Sequence, residues 1–382
     1  MFITNDIRYI GVNDHDIDLF ESQYIVPNGM AYNSYVILDG QIAVMDSVEA
    51  RFGAQWLANL EAELAGRTPD YLVVQHMEPD HSANISTFME RFPAAKIVAS
   101  NQAFAMMAQF YGTNYADRRI VVKEGDTLNL GRHVLQFVAA PMVHWPEVMM
   151  TYDQTDKVFF SADAFGKFGA LDVEEEWACE ARRYYFGIVG KFGAQVQRLL
   201  AKANKLDIQT ICPLHGPVLG ENLGDYLALY DTWSAYRPET EGVFIAYTSV
   251  YGHTEQAALE LKAMLEARGV RVAAADLSRE DLAEAVEDGF RHSKLVLAST
   301  TYNTGVFPAM ETYLHHLTER GYQNRTVAFI ENGSWAPSAA KAMAKLLEGS
   351  KDLTILPTTV TIRSALNDQS RAALEQLCQE LA

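Results

Sequence analysis

From about residue 243 onward, short apolar runs alternate with stretches of helical pattern, and this alternation constrains the fold more than any other feature of the sequence. VFIAYT, VRVAAADL, KLVLAST and TVAFIE are each followed by a predicted helix, three of which begin near His253, Pro308 and Pro337. A short fifth strand then leads into the helix SRAALEQLCQEL. Five β-α units of this kind imply a parallel sheet with helices on both faces, because parallel strands need crossovers and uniformly apolar strands need cover on both sides. In such sheets ligands sit outside the carboxyl ends of the strands. Three loops lie there: Thr248-Ser249-Val250-Tyr251-Gly252-His253-Thr254, Ser299-Thr300-Thr301-Tyr302-Asn303-Thr304-Gly305 and Glu331-Asn332-Gly333-Ser334-Trp335-Ala336.

The first 240 residues follow a different pattern. The strand-like runs SYVILDG and QIAVMDS flank an Asp39-Gly40 turn, and YLVVQH, AKIVAS, RIVVKEG, KVFFSAD and IQTICP follow, with helix formers dominating between Glu174 and Leu206. The polar stretch 232–242, with Pro238, reads as a linker, so the expected domains are 1–240 and 241–382. The formal charge of −18 divides into −13 for residues 1–240 and −5 for the rest. Such a field disfavours nucleic acid and anionic membranes, which require clustered Lys and Arg. The amino terminus has no basic segment followed by an apolar one, and no run approaches a membrane span, so a cytoplasmic protein is expected. Cys179, Cys212 and Cys378 are too far apart for any CxxC pair, which leaves metal binding to N and O ligands.

Those ligands are concentrated. YLVVQH runs into His76-Met77-Glu78-Pro79-Asp80-His81, and His144 (APMVHWPE), Asp163 (FFSADAFG) and His215 (CPLHGP) each follow an apolar run. In an extended segment, positions 76, 78 and 80 point the same way and could meet one metal centre, with His81 facing aside or toward a second ion. Taken singly, any of these histidines is an ordinary hydrogen-bonded residue. Jointly, four of the six His in residues 1–240 lie in these segments beside three carboxylates, which points to a metal site. A mixed His and carboxylate set suits iron or manganese, although zinc fits the same ligands. Asp163, with two oxygens, is the natural bridge between ions.

In the rear domain, the first loop brings hydroxyls and backbone N–H groups to a helix N-terminus, an anion site that Gly252 lets a phosphate approach closely. Thr301, Tyr302, Asn303, Thr304, Asn332, Gly333, Ser334 and Trp335 add aromatic faces and small polar groups that suit an isoalloxazine ring, which points to FMN. No GxGxxG follows the first strand, which disfavours direct NAD binding.

The order HxExDH, H, D, H resembles the metallo-β-lactamase fold family, but Glu78 stands where zinc hydrolases of that family carry a second His in HxHxDH. Followed by a flavodoxin-like domain, and with MAYNSYVI, QHMEPDHSAN, VHWPEVMMTY, SADAFGKFG, YTSVYGHTE and ENGSWAPSAAK in order, the chain resembles the flavodiiron proteins, also called A-type flavoproteins. The resemblance implies an N-terminal metallo-β-lactamase-like αββα sandwich and a C-terminal flavodoxin-like doubly wound five-stranded parallel sheet. It further implies two iron ions per chain on His76, Glu78, Asp80, His144, Asp163 and His215. His81 is a ligand in some members and swings away in others. FMN is implied on the three loops, with His253 where many members have Asn. The implied activity is reduction of dioxygen to water, nitric oxide to nitrous oxide, or both, with His81, Tyr184 and Tyr185 as candidates for the substrate pocket. An external donor such as rubredoxin and a head-to-tail homodimer or dimer of dimers are implied as well. The alternative is a zinc-dependent hydrolase with an accessory flavodoxin domain.

Overall fold

The apolar runs of the front half assemble into two sheets. One has six strands in the order Ile7–Tyr9, Tyr35–Ile37, Ala43–Met45, Tyr71–Val73, Lys96–Ala99, Arg119–Val121. The other has five: Thr127–Asn129, Val134–Ala139, Met149–Asp153, Val158–Phe160, Thr210–Cys212. The sheets face each other through one apolar layer, to which the first contributes Tyr35, Ile37, Met45, Val73 and Val98 and the second Leu135, Phe137, Met149, Phe160 and Cys212. Helices including Gly53–Leu64, Asn101–Tyr111 and Gly193–Ala203 cover the outer faces. Trp56 anchors the first of these; it is fully buried and its Nε1–H donates to Ser34 Oγ at 2.9 Å. This is the metallo-β-lactamase-like sandwich.

The computed structural model describes all 382 residues and divides into two compact units, Met1–Asp231 and Thr232–Ala382. The stretch 232–242 is only partly linker: helix Leu223–Ser234 runs into it and strand Thr240–Tyr247 begins within it, leaving 235–239 irregular. No helix is long and apolar enough to cross a membrane.

The rear unit is the expected parallel sheet. Its strands lie in the order Val272–Asp276, Thr240–Tyr247, His292–Tyr302, Gln323–Asn332, Lys351–Ile362, which is 2-1-3-4-5 by position in the chain, and every neighbouring pair is parallel. The fifth strand is not short. It runs for 12 residues and shifts register opposite Val327 and Phe329, where Pro357 has no N–H to give to the ladder, a break that an edge strand tolerates. Helix His253–Glu266 presents Ala257, Ala258, Leu261 and Leu265 to the sheet, and helix Asp368–Leu381, started by a reciprocal Asn367–Ser370 cap, presents Leu374, Leu377 and Leu381 to the same cluster.

Candidate functional site

In the front unit the functional side chains sit where strands end. Beyond Tyr71–Val73 the backbone is caught by Asp46, a fully buried residue with φ 53°, whose Oδ1 accepts from the N–H of Gln75 (2.7 Å) and of His76 (3.3 Å) and whose Oδ2 accepts from Gln75 Nε2 at 2.9 Å. Burial pushes the Asp46 carboxyl up to about 6 in spite of these donors. Pro79 then opens a short helix, Pro79–Ser82, at its first position, where its missing N–H costs nothing. That helix overturns the extended alternation expected for positions 76, 78 and 80. It carries Asp80 and His81 away from His76 and Glu78 and delivers them to His215.

Two groups of donors result, His76–Glu78–His144–Asp163 and Asp80–His81–His215, each with its donor atoms within 4.8 Å of one another. In the first, Glu78 Oε2 lies 3.2 Å from His76 Nε2 and 3.0 Å from His144 Nε2. In the second, Asp80 Oδ2 is 3.3 Å from both His81 Nε2 and His215 Nε2. Asp163 stands between them. Its Oδ2 is 3.3 Å from His76 Nε2 and 3.0 Å from His144 Nε2, while its Oδ1 is 3.2 Å from His81 Nε2 and 3.8 Å from His215 Nε2.

The donor set fits a pair of hard or borderline cations. His81 Nε2 and His215 Nε2 face each other at 3.0 Å, neither oxygen of the buried Asp80 carboxylate has a hydrogen-bond partner, and Asp163 Oδ1 has none. Buried polar atoms are seldom left so, and a shared ion satisfies all of them. Charges within the cluster support one another. Burial by itself disfavours an imidazolium, but the charge of Asp163 holds His76 well above the usual histidine range, and hydrogen bonds to Asp163 and Glu78 lift His144 to about 9. Burial likewise disfavours the Asp163 and Glu78 anions, yet the surrounding imidazoles hold both well below the usual carboxylate range.

Tyr184 lies against this cluster, its ring 5.7 Å from that of His215, and burial together with the charges of Asp163, Asp80 and Glu78 keeps its hydroxyl protonated. Tyr185, at the start of a π-helical turn, packs on Tyr230 and Phe186. Two residues not foreseen from sequence also reach the site. Glu147 is bonded to His76 Nδ1 at 2.8 Å; it stands three residues after His144 in HWPE, near a ligand but without any pattern that marks its direction. Glu21 sits in the turn between Leu19–Phe20 and Tyr24–Ile25, where desolvation and then the charge of Glu78 push its carboxyl up to about 7. A lone Glu in a turn gives no signal of that proximity.

In the rear unit the three loops, joined by Ser364 after the fifth strand, line one cavity of about 780 Å³. Ser249, Val250, Tyr251, His253 and Thr254 come from the first loop. Thr300, Thr301, Tyr302, Asn303 and Thr304 come from the second, and Asn332, Gly333, Ser334, Trp335 and Ala336 from the third. Two expected contacts lie off its lining. Thr248 is fully buried and bonded to Ser299 Oγ at 3.1 Å, and Gly252, with φ 89°, shapes the turn and donates its N–H to Ser249 Oγ at 3.0 Å. Ser364 lies two residues beyond the fifth strand, in a turn that carries no motif to mark it; its Oγ–H donates to Ser334 Oγ at 2.8 Å.

This cavity fits FMN. In a chain of net charge −18, no carboxylate lines it. Helix His253–Glu266 opens into it with no side-chain cap on its first N–H groups, so a phosphate would find unpaired donors there. Trp335 and Tyr251 stand 86% and 90% exposed at its rim, open faces available to a planar ring.

The chain is similar to several known proteins. Residues 30–216 match the family described as ODP family beta lactamase. The chain is 32% identical over 295 residues to diflavin flavoprotein A 1 of Synechocystis, covering 75% of this chain and 51% of the relative, so it spans about half the length of that protein. It is 28% identical over 362 residues to a nitric oxide reductase of Moorella thermoacetica, covering 91% of this chain and 90% of the other. In fold it is similar to the rubredoxin oxygen:oxidoreductase of Desulfovibrio gigas, with a TM-score of 0.92, 23% identity, and coverage of 100% of this chain and 97% of that one. The hydrolase alternative finds no support among these relatives. With the likeness running through both units, the chain belongs to the flavodiiron proteins, or A-type flavoproteins, a family of oxidoreductases that carry FMN and a non-haem di-iron site.

Proposed function

We propose that this chain reduces dioxygen to water, nitric oxide to nitrous oxide, or both. The site would hold one iron on His76, Glu78, His144 and Asp163, and a second on Asp80, His81, His215 and Asp163. The carrying observation is Asp163, which turns one oxygen to each group of donors within 3.0–3.8 Å. When bound, the irons would supply the positions at which a diatomic gas is reduced, and FMN would deliver the electrons.

The protein's own share of the work is positional. Buried walls formed by Phe20, Tyr32 and Tyr184 around His215 exclude water from the second group of donors, and the neutral Tyr184 hydroxyl is available as a hydrogen-bond donor to a bound gas. In the rear unit the uncapped start of helix His253–Glu266, with Ser249 and Thr254, would hold the phosphate, and Tyr302, Asn303, Trp335 and their neighbours the ring. An external donor such as rubredoxin would reduce the flavin, and a head-to-tail homodimer, alone or paired into a tetramer, would bring each flavin to its partner's irons. A cytoplasmic setting is part of the same proposal.

The test is anaerobic. The purified protein, with iron and FMN content measured, is reduced fully and then mixed with oxygen or nitric oxide. Fast reoxidation by one gas, without peroxide release and lost in Asp163→Asn, is the expected result. Slow reoxidation that forms peroxide and ignores the substitution would sink the reading.

A further inference from the structure

The geometry points to two unequal metal sites, with Glu147 acting as a positioning residue that makes the His76–Glu78–His144 site the first to fill and the last to empty. This inference rests on the di-metal reading above.

The inequality lies behind the ligands. The side chains of His76 and Glu147 are both fully buried, with His76 Nδ1 2.8 Å from Glu147 Oε1. The same Oε1 accepts the backbone N–H of Met77 at 2.8 Å, which fixes the carboxylate in place. With its Nδ1 proton directed at a carboxylate, His76 is held in the tautomer that turns the Nε2 lone pair toward Glu78 and Asp163, and the anionic acceptor makes that nitrogen a better donor to a cation.

The second site has no counterpart. His215 Nδ1 meets only a neutral acceptor, the Ala31 carbonyl, at 2.8 Å. His81 Nδ1 is buried without any hydrogen-bond partner. One imidazole of the second site is thus oriented by a weaker acceptor and the other by none. Glu147 also places a further buried anion beside the first site only, and its Oε2 is itself buried and unpartnered. Both effects favour a cation at the first site. Glu147 touches no candidate ligand position other than His76, so its influence should be confined to one half of the pair.

The full-length protein, purified with its iron, is challenged anaerobically with graded chelator, and residual metal per chain is measured by mass spectrometry. Vacated positions are refilled with Co(II), whose ligand-field absorption reports which donors it has. Two separate steps with a plateau at one ion per chain are expected. Glu147→Gln keeps the shape and an acceptor oxygen but removes the charge, and should weaken the tighter step by about 10–100-fold, leaving the looser one in place. Should that variant fail to fold, His215→Ala and His144→Ala decide: the first should retain the tight step and the second only the loose one. A single step in the wild type, or equal weakening of both steps in Glu147→Gln, would overturn the inequality. A wild type that holds neither iron nor Co(II) would overturn the di-metal reading and this inference together.

Discussion

The two units place ligands by the same rule and hold them by opposite means. In both, the candidate binding residues follow strands, but in the front unit they are buried side chains whose ionised atoms converge, whereas in the rear unit they are loop residues around an open cavity. A buried donor has no substitute when it is removed, because its neighbours keep their charges and lose their partner. An open cavity spreads its hold over backbone N–H groups, hydroxyls and aromatic faces, so single changes there should be graded. Function in the front unit should therefore fail abruptly, and in the rear unit by degrees.

The largest expected effect is at Asp163. Asp163→Asn should lower bound iron and gas-driven reoxidation by more than the roughly 10–100-fold typical of losing an outer-sphere partner, while FMN content stays unchanged. Equal loss of FMN would break the contrast between the units. Next is Gly252→Ala. Its φ of 89° costs an L-residue about 1–2 kcal/mol, and since nothing lies within 4 Å of the added methyl, strain alone should act. FMN affinity should fall about tenfold with iron content unaltered, as read by fluorescence titration and metal analysis. Trp335→Ala should matter less. The side chain is so exposed that thermal stability should hold within about 0.5 kcal/mol, while lost ring contact should weaken FMN by about 0.5–1.5 kcal/mol.

The smallest effect is away from both sites. The buried His133 is bonded to Asp153 (2.9 Å) and Asp6 (3.2 Å), with Arg132 and Asp156 alongside. Burial pulls its pKa down, but the hydrogen bond and charge of Asp153, helped by Asp6 and Asp156, outweigh this and leave it above the ordinary value. Its contribution to stability is full below about pH 6.5 and declines as pH rises through the raised value. His133→Asn should therefore flatten the fall of Tm between pH 6 and pH 8 relative to the wild type, without changing iron or FMN content. An unchanged slope would remove His133 from the account.

Much of this was legible in advance where the signal was local. The rear strands carry uniform apolar runs because both faces of a parallel sheet are covered, and helix starts at His253 and Pro308 were readable from Gly252 and Pro308 themselves. Strands Thr127–Asn129, Val134–Ala139 and Met149–Asp153 were harder, since LNLGRHVLQF mixes polar and apolar residues and the alternation that marks a half-buried strand is imperfect. The seven candidate ligands could be named from sequence because each interrupts or follows an apolar run.

By itself, then, the sequence determined the doubly wound rear sheet, the candidate donor residues and the loops that line the rear cavity, because periodicity and strand ends are properties of short segments. Only the tertiary structure decided how the donors divide. The helix opened by Pro79 sends Asp80 to His215, 135 residues away, instead of to His76, and the packing of the HWPE turn aims Glu147 at one imidazole and leaves His81 without such a partner. These outcomes depend on which chain ends meet and what is buried beside them, and burial is fixed by the whole fold rather than by any neighbour in sequence.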